Sequence, residues 1–197
     1  MEEESRNEGQ NSESRALHLH GKGFGKYMFE ARGDQGKLIS SLIPNTVEVI
    51  VDIGCGTGFY SKYLLEHANR VYCIDVDEES LLEASESIKS ERLICVNASG
   101  SNTNLPSNSV DIVFMANSFH DMEDKGAVVN EVERILVDGG KLIILDWKKD
   151  STFGPPRSLK LSEADYIKYF NRFAIEKSFD VEPQHYCLIF SKSMKQQ

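Results

Sequence analysis

Residues 51–58 read VDIGCGTG, and this stretch decides the fold. An apolar run that begins at residue 47 ends at Ile53, and three glycines follow at Gly54, Gly56 and Gly58. The run is typical of a buried strand, and glycines let the backbone approach a ligand where a side chain would clash. A strand followed by a glycine loop and a helix, at the start of an α/β chain, predicts a ligand site beyond the carboxyl end of that strand.

Helical and strand-like patterns alternate from residue 36 onward. This alternation predicts right-handed βαβ units, a parallel sheet and helices on both faces. The last two strand-like segments are joined by only residues 182–184, which is too short for a crossover, so they form an antiparallel hairpin. The predicted fold is a Rossmann-like, doubly wound, seven-stranded, mostly parallel α/β sheet with a C-terminal antiparallel hairpin. Its strands are expected at residues 47–53, 71–75, 92–98, 110–116, 141–147, 173–181 and 185–192.

The chain of 197 residues is long enough for one domain with a sizeable core. Residues 1–15 contain five Glu and no large apolar side chain, which predicts a disordered acidic tail. Residues 16–36 are rich in glycine but carry aromatic side chains, so they are a candidate lid. Residues 37–197 form the predicted catalytic domain. The formal net charge of -9 argues against general nucleic-acid binding, and no apolar run is long enough to predict a membrane span.

The four cysteines, at positions 55, 73, 95 and 187, show neither a CxxC pair nor zinc spacing. No metal site is therefore predicted. Three of them lie in strand-like runs, which indicates buried free thiols. Reduced thiols and the lack of a signal peptide in this sequence favour a cytoplasmic protein.

The charge around the glycine loop indicates the kind of ligand. Nicotinamide and flavin folds use G-x-G-x-x-G and place a pyrophosphate at a helix N-terminus. Here the spacing is G-x-G-x-G, with Asp52 two residues before Gly54. A carboxylate there would repel a pyrophosphate and suit a cationic group such as an ammonium or a sulfonium. No Gly-Lys-Ser/Thr follows, which argues against a P-loop.

A second carboxylate, Asp75, ends the predicted strand VYCID, 21 residues after Gly54. An acid at the tip of the second strand accepts hydrogen bonds from a ribose diol. The alternatives are a helix N-cap or a plain surface acid, but Asp77, with Glu78 and Glu79 behind it, is the better N-cap. The expected ligand therefore combines a ribose with a cation, as S-adenosylmethionine does.

Four stretches, VDIGCGTG, IDVD, LPSNSVDIVF and GGKLIILDW, resemble the successive motifs of class I S-adenosylmethionine-dependent methyltransferases. The resemblance is closest to the type 11 group, which includes quinone-biosynthesis-like enzymes, and covers roughly residues 36–192. It implies that Gly54 and Gly56 line the methionine and ribose part of the cofactor and that Asp75 holds the ribose hydroxyls. It also implies that Val76 packs on adenine and that Asn117 contacts the amino-acid end. Asp52 and Gly58 also belong to the predicted cofactor-binding set.

The sequence departs from the family after the third strand. The family often has an Asp there that binds the adenine amino group, whereas this chain reads Val96-Asn97-Ala98-Ser99. Ser99 or Asn97 is expected to supply the hydrogen bond instead.

Candidates for the acceptor side follow the fourth strand, in NSFHDMEDK. His120 is predicted as a catalytic base or acceptor-binding group, and a structural histidine is the alternative. The loop lacks the Asn-Pro-Pro-Tyr of amino-group methylases of DNA, which leaves a small molecule, a lipid-like quinol precursor or a protein side chain as the acceptor. Two competing functions stay open: a non-catalytic S-adenosylmethionine-binding sensor or partner subunit, and a nicotinamide oxidoreductase. The oligomeric state is not predicted.

Overall fold

The computed structural model describes residues 34–43 and 46–194. The predicted acidic tail, residues 1–15, and nearly all of the candidate lid lie outside the described residues, so both stay predictions. Among the described residues, no helix has both the length and the apolar character needed to cross a membrane.

The described chain alternates helices and strands as predicted. A helix over residues 34–42 is labelled α1. It is followed by β1 (Val47–Ile53), α2 (Ser61–Leu64), β2 (Ala68–Asp75), α3 (Glu78–Ile88), β3 (Leu93–Asn97), β4 (Val110–Ala116), a 3-10 turn (Phe119–Asp121), α4 (Lys125–Ile135), β5 (Leu136–Trp147), α5 (Glu163–Tyr169), β6 (Phe173–Val181) and β7 (His185–Lys192).

All seven strands lie in one sheet with the order β3-β2-β1-β4-β5-β7-β6. The first five strands pair in parallel, and β7 pairs antiparallel with both β5 and β6. The predicted doubly wound sheet and the C-terminal hairpin are confirmed. Strand order reverses at β1, because β2 lies on one side of it and β4 on the other. This reversal is where an open α/β sheet leaves a crevice for ligands.

Two element boundaries differ from the prediction. β2 begins at Ala68 and not at residue 71, because Ala68 already pairs with Val47 of β1, and α2 before it is only four residues long. β5 begins at Leu136 and not at residue 141: Leu136 pairs with Val110, and the register shifts before Ile112 pairs with Lys141. In both places strand pairing overrides the local pattern.

Helices cover both faces of the sheet. On one face, Val51 and Ile53 of β1 pack in a cluster that contains the apolar side chains of α4 and α5. On the other face, Ile50 packs in a cluster with apolar residues of α1 and α2. Successive strand residues point to opposite faces, so a strand buried on both sides is apolar throughout. The core therefore holds the carboxyl ends of β1, β2 and β4 in fixed positions at one edge.

Candidate cofactor and active site

The glycine loop begins with a residue that only glycine can occupy. Gly54 has a φ of +75°, and a Cβ on it would lie 2.4 Å from the Cβ of Ser118. Its N–H donates to the carbonyl of Ile74 at 2.7 Å, and Ser118 Oγ donates to the carbonyl of Ile53 at 2.9 Å. The loop after β1 is thereby tied to β2 and to the segment after β4.

The carboxylate of Asp75 is oriented by two backbone amides. The N–H of Gly56 donates to Oδ2 at 2.8 Å, and the N–H of Asp77 donates to Oδ1 at 3.0 Å. Each carboxylate oxygen has lone pairs left for a second donor. The predicted N-cap is confirmed at Asp77, whose side chain accepts from the N–H of Glu79, so Asp75 does not cap α3.

A cavity of about 660 Å³ opens at the carboxyl ends of β1, β2 and β4. All the ionisable side chains that line it are carboxylic acids: Asp75, Asp121, Glu123 and Asp124. Among the described residues, no Lys, Arg or His lines this cavity. The other lining residues are Gly54, Ile74, Val76, Ala98, Ser99, Gly100, Ser101, Asn117, Ser118, Met122 and Val128.

Asn117 is unusual in both backbone and side chain. It has a φ of +52°, and its N–H donates to the carbonyl of Leu145 at 2.8 Å. Its Oδ1 is buried and finds no hydrogen-bond partner within residues 34–43 and 46–194. A buried acceptor without a donor costs free energy, and such atoms concentrate at functional sites. A ligand with a donor group would satisfy it.

Five of the predicted cofactor-binding residues meet at this cavity: Gly54, Asp75, Val76, Ser99 and Asn117. Val76 is 73% exposed, although its side chain is apolar. A large exposed aliphatic surface beside a polar cavity suits a flat apolar partner such as a purine ring.

Gly56 and Gly58 do not line this cavity. Gly56 acts through its N–H to Asp75, and a Cβ on it would meet no protein atom within 4 Å. A Cβ on Gly58 would lie 2.9 Å from Ile88 Cδ1 and 3.0 Å from the Cβ of Ala84. Gly58 therefore allows α3 to pack closely on the loop.

Asp52 is buried beneath the loop and does not line the cavity. Ser61 Oγ donates to its Oδ2 at 2.6 Å. Burial raises the pKa of Asp52 to about 7, although the Ser61 hydrogen bond opposes the shift. The carboxyl is therefore only partly ionised at neutral pH, which weakens the expectation that its charge repels a pyrophosphate. A direct contact of Asp52 with the cofactor stays a prediction.

Asn97 and Ser99 were the two donors expected to bind the adenine, and they differ in whether they are available to a ligand. The amide Nδ2 of Asn97 donates to the carbonyls of Val76 at 3.0 Å and Asp75 at 3.3 Å. That amide therefore stabilises the turn after β2. The hydroxyl of Ser99 lies 2.8 Å from that of Ser101, and both residues line the cavity.

His120 is buried between two carboxylates and does not line the cavity. Its Nδ1 lies 2.9 Å from Asp146 Oδ1, and its Nε2 lies 3.2 Å from Asp121 Oδ2. Burial lowers the pKa of His120, but the hydrogen bonds of Asp121 and Asp146 outweigh this effect and raise the pKa to about 9. An imidazolium with both nitrogens engaged has no lone pair with which to accept a proton. This geometry favours the structural alternative over the predicted base.

The sequence alone did not single out several lining residues, among them Ser118 and Ser101. Ser118, Asp121 and Asp124 stand in the stretch NSFHDMEDK, which was already a candidate for the acceptor side. The role of Ser118 could not be predicted, because it depends on the contact with Gly54, which follows a different strand.

Comparison with known proteins agrees with this geometry. A family model described as a methyltransferase domain, of type 11, matches residues 51–144. The chain is 45% identical to a crystal structure from Sulfolobus solfataricus described as a type 11 methyltransferase, with a TM-score of 0.69 and coverage of 76% of this chain and 86% of that one. A second structure, a SAM-dependent methyltransferase from Aquifex aeolicus, is 25% identical with a TM-score of 0.73 and covers 79% of this chain and 87% of that one.

Among curated proteins, the chain is 30% identical over 135 residues to the biotin biosynthesis bifunctional protein BioHC of Saccharophagus degradans. That match covers 66% of this chain and 23% of BioHC. An uncharacterized methyltransferase of Geobacillus thermodenitrificans is 26% identical, over 56% of this chain and 52% of its own length. The chain thus spans about half or less of these curated relatives. It belongs to the class I S-adenosylmethionine-dependent methyltransferases, in the type 11 group.

Proposed function

We propose that this protein is a methyltransferase that moves a methyl group from S-adenosylmethionine to a small-molecule, lipid-like or protein acceptor. The observation that carries the proposal is the cavity at the reversal of strand order, with an oriented Asp75, an unsatisfied Asn117 Oδ1 and no cationic side chain among its described lining residues. These groups suit a ribose and a cation. A pyrophosphate would meet carboxylates and no cationic side chain of the lining, which disfavours a nicotinamide dinucleotide.

The lining residues fit the parts of this cofactor. The free lone pairs of Asp75 would accept from the ribose hydroxyls, and Val76 would pack on the adenine ring. The hydroxyl of Ser99 would meet the polar edge of the adenine, and Asn117 Oδ1 would accept from the ammonium of the amino-acid end. Gly54 keeps the wall free of a side chain. When bound, S-adenosylmethionine supplies a methyl group activated by a sulfonium.

The contribution of the chain to the transfer is to hold donor and acceptor in line and to keep water out. A protein base is needed only for an acceptor that arrives protonated. The engaged nitrogens of His120 do not supply one. We place the protein in the cytoplasm, because all four cysteines are free thiols in the structure, which supports a reducing compartment.

Ligand binding tests the cofactor. Binding raises the apparent stability of a folded protein, so S-adenosylmethionine and S-adenosylhomocysteine should raise the melting temperature of the full chain. NAD at the same concentration should not. A shift with NAD alone would contradict the proposal and favour an oxidoreductase.

Methyl transfer tests the enzyme against the non-catalytic alternative. The full chain is incubated with S-adenosylmethionine tritiated in the methyl group and with a fractionated cell extract. We expect label in one of the protein, lipid or small-molecule fractions, which also identifies the acceptor class. A protein that binds the cofactor tightly and labels no fraction would instead be a sensor or a partner subunit.

A further inference from the structure

Asp121 is a carboxylate of the cavity wall that the predicted cofactor set does not include. It lies in the short 3-10 turn after β4 and lines the cavity together with Asn117, Ser118 and Met122. Its side chain is 61% exposed, so the carboxylate is accessible to a ligand. The His120 hydrogen bond lowers the pKa of Asp121, burial opposes that shift, and the charges of His120 and Lys125 lower it further. Asp121 is therefore a fixed negative charge at neutral pH.

Asp121 is held by a series of buried, hydrogen-bonded polar side chains. His120 contacts Asp121 through Nε2 and Asp146 through Nδ1, and the side chains of His120 and Asp146 are each 3% exposed. Tyr166 donates its hydroxyl to Asp146 Oδ2, and the N–H of Trp147 donates to Asp146 Oδ1 at 2.7 Å. Buried polar groups are costly unless they are fully paired, and here each partner constrains the next. The arrangement fixes the ring of His120 and, through it, the position of Asp121.

We propose that Asp121 is a cofactor-binding residue that pairs with the cationic part of S-adenosylmethionine, and that His120 is a positioning residue that holds the Asp121 carboxylate at the cavity wall. The inference rests on the proposed function, since it names one more contact of the same cofactor.

The position of Asp121 supports this role over a plain ion pair with His120. The carboxylate lines the same cavity as Asn117, whose buried Oδ1 has no hydrogen-bond partner among the described residues. Lys125 is the other cation near Asp121, but its Nζ donates to the carbonyl of Met122 at 2.7 Å. Only Oδ2 of Asp121 contacts His120 in the described structure, which leaves Oδ1 available to a ligand.

Calorimetry on an Asp121→Asn variant tests the cofactor contact. Charge-assisted hydrogen bonds are about twice as strong as neutral ones, so we expect the affinity for S-adenosylmethionine to fall by roughly 10-fold. The affinity for 5′-methylthioadenosine, which lacks both the sulfonium and the ammonium, should stay unchanged. An equal loss for both ligands, or no loss for either, would overturn the proposal. A wild-type chain that binds neither ligand would refute the proposed function itself.

Glu123→Gln is the matched control. Glu123 lines the same cavity two residues away, and the change removes the same charge without touching His120. We expect this variant to bind S-adenosylmethionine within about 3-fold of the wild type, because an accessible charge that is not in contact is weakly coupled. A loss equal to that of Asp121→Asn would mean that the cavity acts only through its overall charge.

His120→Gln separates positioning from general stability. We expect a selective loss of S-adenosylmethionine affinity, and we expect the double variant with Asp121→Asn to bind no more weakly than Asp121→Asn alone. Nuclear magnetic resonance should show the His120 ring still protonated in wild-type protein above neutral pH, with its titration at lower pH in Asp121→Asn. A purely structural His120 would weaken both ligands alike, and additive losses in the double variant would overturn the positioning role.

Discussion

Asp75 shows how one carboxylate is committed to the backbone and still available to a ligand. Its two oxygens accept from Gly56 and Asp77, which come from the loops that follow β1 and β2. The side chain therefore needs no reorganisation when a diol arrives. Such preorganisation reduces the entropic cost of binding.

We expect Asp75→Ala to weaken S-adenosylmethionine binding by one to two orders of magnitude, about the value of a lost charge-assisted pair. Isothermal titration calorimetry measures this directly. Asp77→Ala is the control: loss of the α3 N-cap should cost about 1 kcal/mol of stability but leave the dissociation constant unchanged. Unchanged affinity in Asp75→Ala would remove this residue from the site.

From the sequence, Asp52 was expected to bind the cofactor, but its burial predicts an effect on the stability of the fold. Its pKa is raised from 3.8 to about 7, so the folded state binds this proton more tightly than the unfolded chain does. The stability that it contributes is therefore present at low pH and is lost as the pH rises through about 7. Asp52→Asn removes the buried charge and should raise the free energy of unfolding above that pH by at least about 1 kcal/mol. Urea denaturation at two pH values measures the difference.

The same Asp52→Asn variant should bind S-adenosylmethionine as tightly as the wild type, because the carboxyl faces Ser61 and not the cavity. A 10-fold loss of affinity would restore the sequence-based expectation that the Asp52 charge meets the ligand.

The glycine loop joins two elements, and its three glycines have different tasks. The absence of a side chain at Gly54 leaves room for Ser118, and the absence of one at Gly58 lets α3 pack closely against the loop. The backbone N–H of Gly56 donates to Asp75. All three have positive φ values between 51° and 76°. The backbone strain of a substitution is therefore similar at each position, and only the neighbours differ.

Gly58→Ala and Gly56→Ala form a matched pair that measures the packing of α3. Both introduce a Cβ at positive φ, which costs about 1–2 kcal/mol. Only the Cβ at Gly58 meets Ala84 and Ile88 at 3.0 Å or less. Gly58→Ala should therefore be more destabilising by about 1 kcal/mol or more in chemical denaturation. Equal losses of stability in the two variants would show that α3 can move away from the new Cβ at no cost in free energy.

The buried chain of His120, Asp146 and Tyr166 links the 3-10 turn after β4 to β5 and α5. Tyr166 of α5 also packs against Phe119 of that turn, so the network ties the C-terminal half of the molecule to a segment that lines the cavity. Its protonation therefore bears on global stability as well as on the site.

We expect the free energy of unfolding to fall as the pH rises from about 6.5 to about 9. The pKa of His120 is raised from 6.5 to about 9, so its stabilisation is complete below 6.5 and is lost as the pH passes through 9. The groups that face the ring are Asp121, Asp146 and, through Asp146, Tyr166. The expected loss is at most about 3 kcal/mol, and a His120→Gln variant should show a flatter profile. If the free energy of unfolding fell equally with pH in the wild type and in His120→Gln, the titrating group would be a residue other than His120.

The local sequence patterns were sufficient to predict most of the secondary-structure elements and part of the site. Apolar runs predicted β1, β4 and β7 with their observed bounds, because a largely buried strand has few polar residues. The bounds of β6 were also predicted, although most of its residues are exposed. The spacing of Asp75 from the glycines predicted which acid meets the cavity, since consecutive parallel strands end at the same edge.

The other features of the fold and the site could not be predicted, because they depend on contacts between residues that are distant in sequence. By itself, the sequence determined the fold class, the glycine loop and the acid at the tip of β2, because those features are local in the chain. Only the tertiary structure decided that β7 lies between β5 and β6, that Asp52 faces Ser61, and that His120 is buried between two carboxylates. The physical reason is that burial and charge pairing set which way a polar side chain points and whether it is ionised, and both arise only when the elements pack.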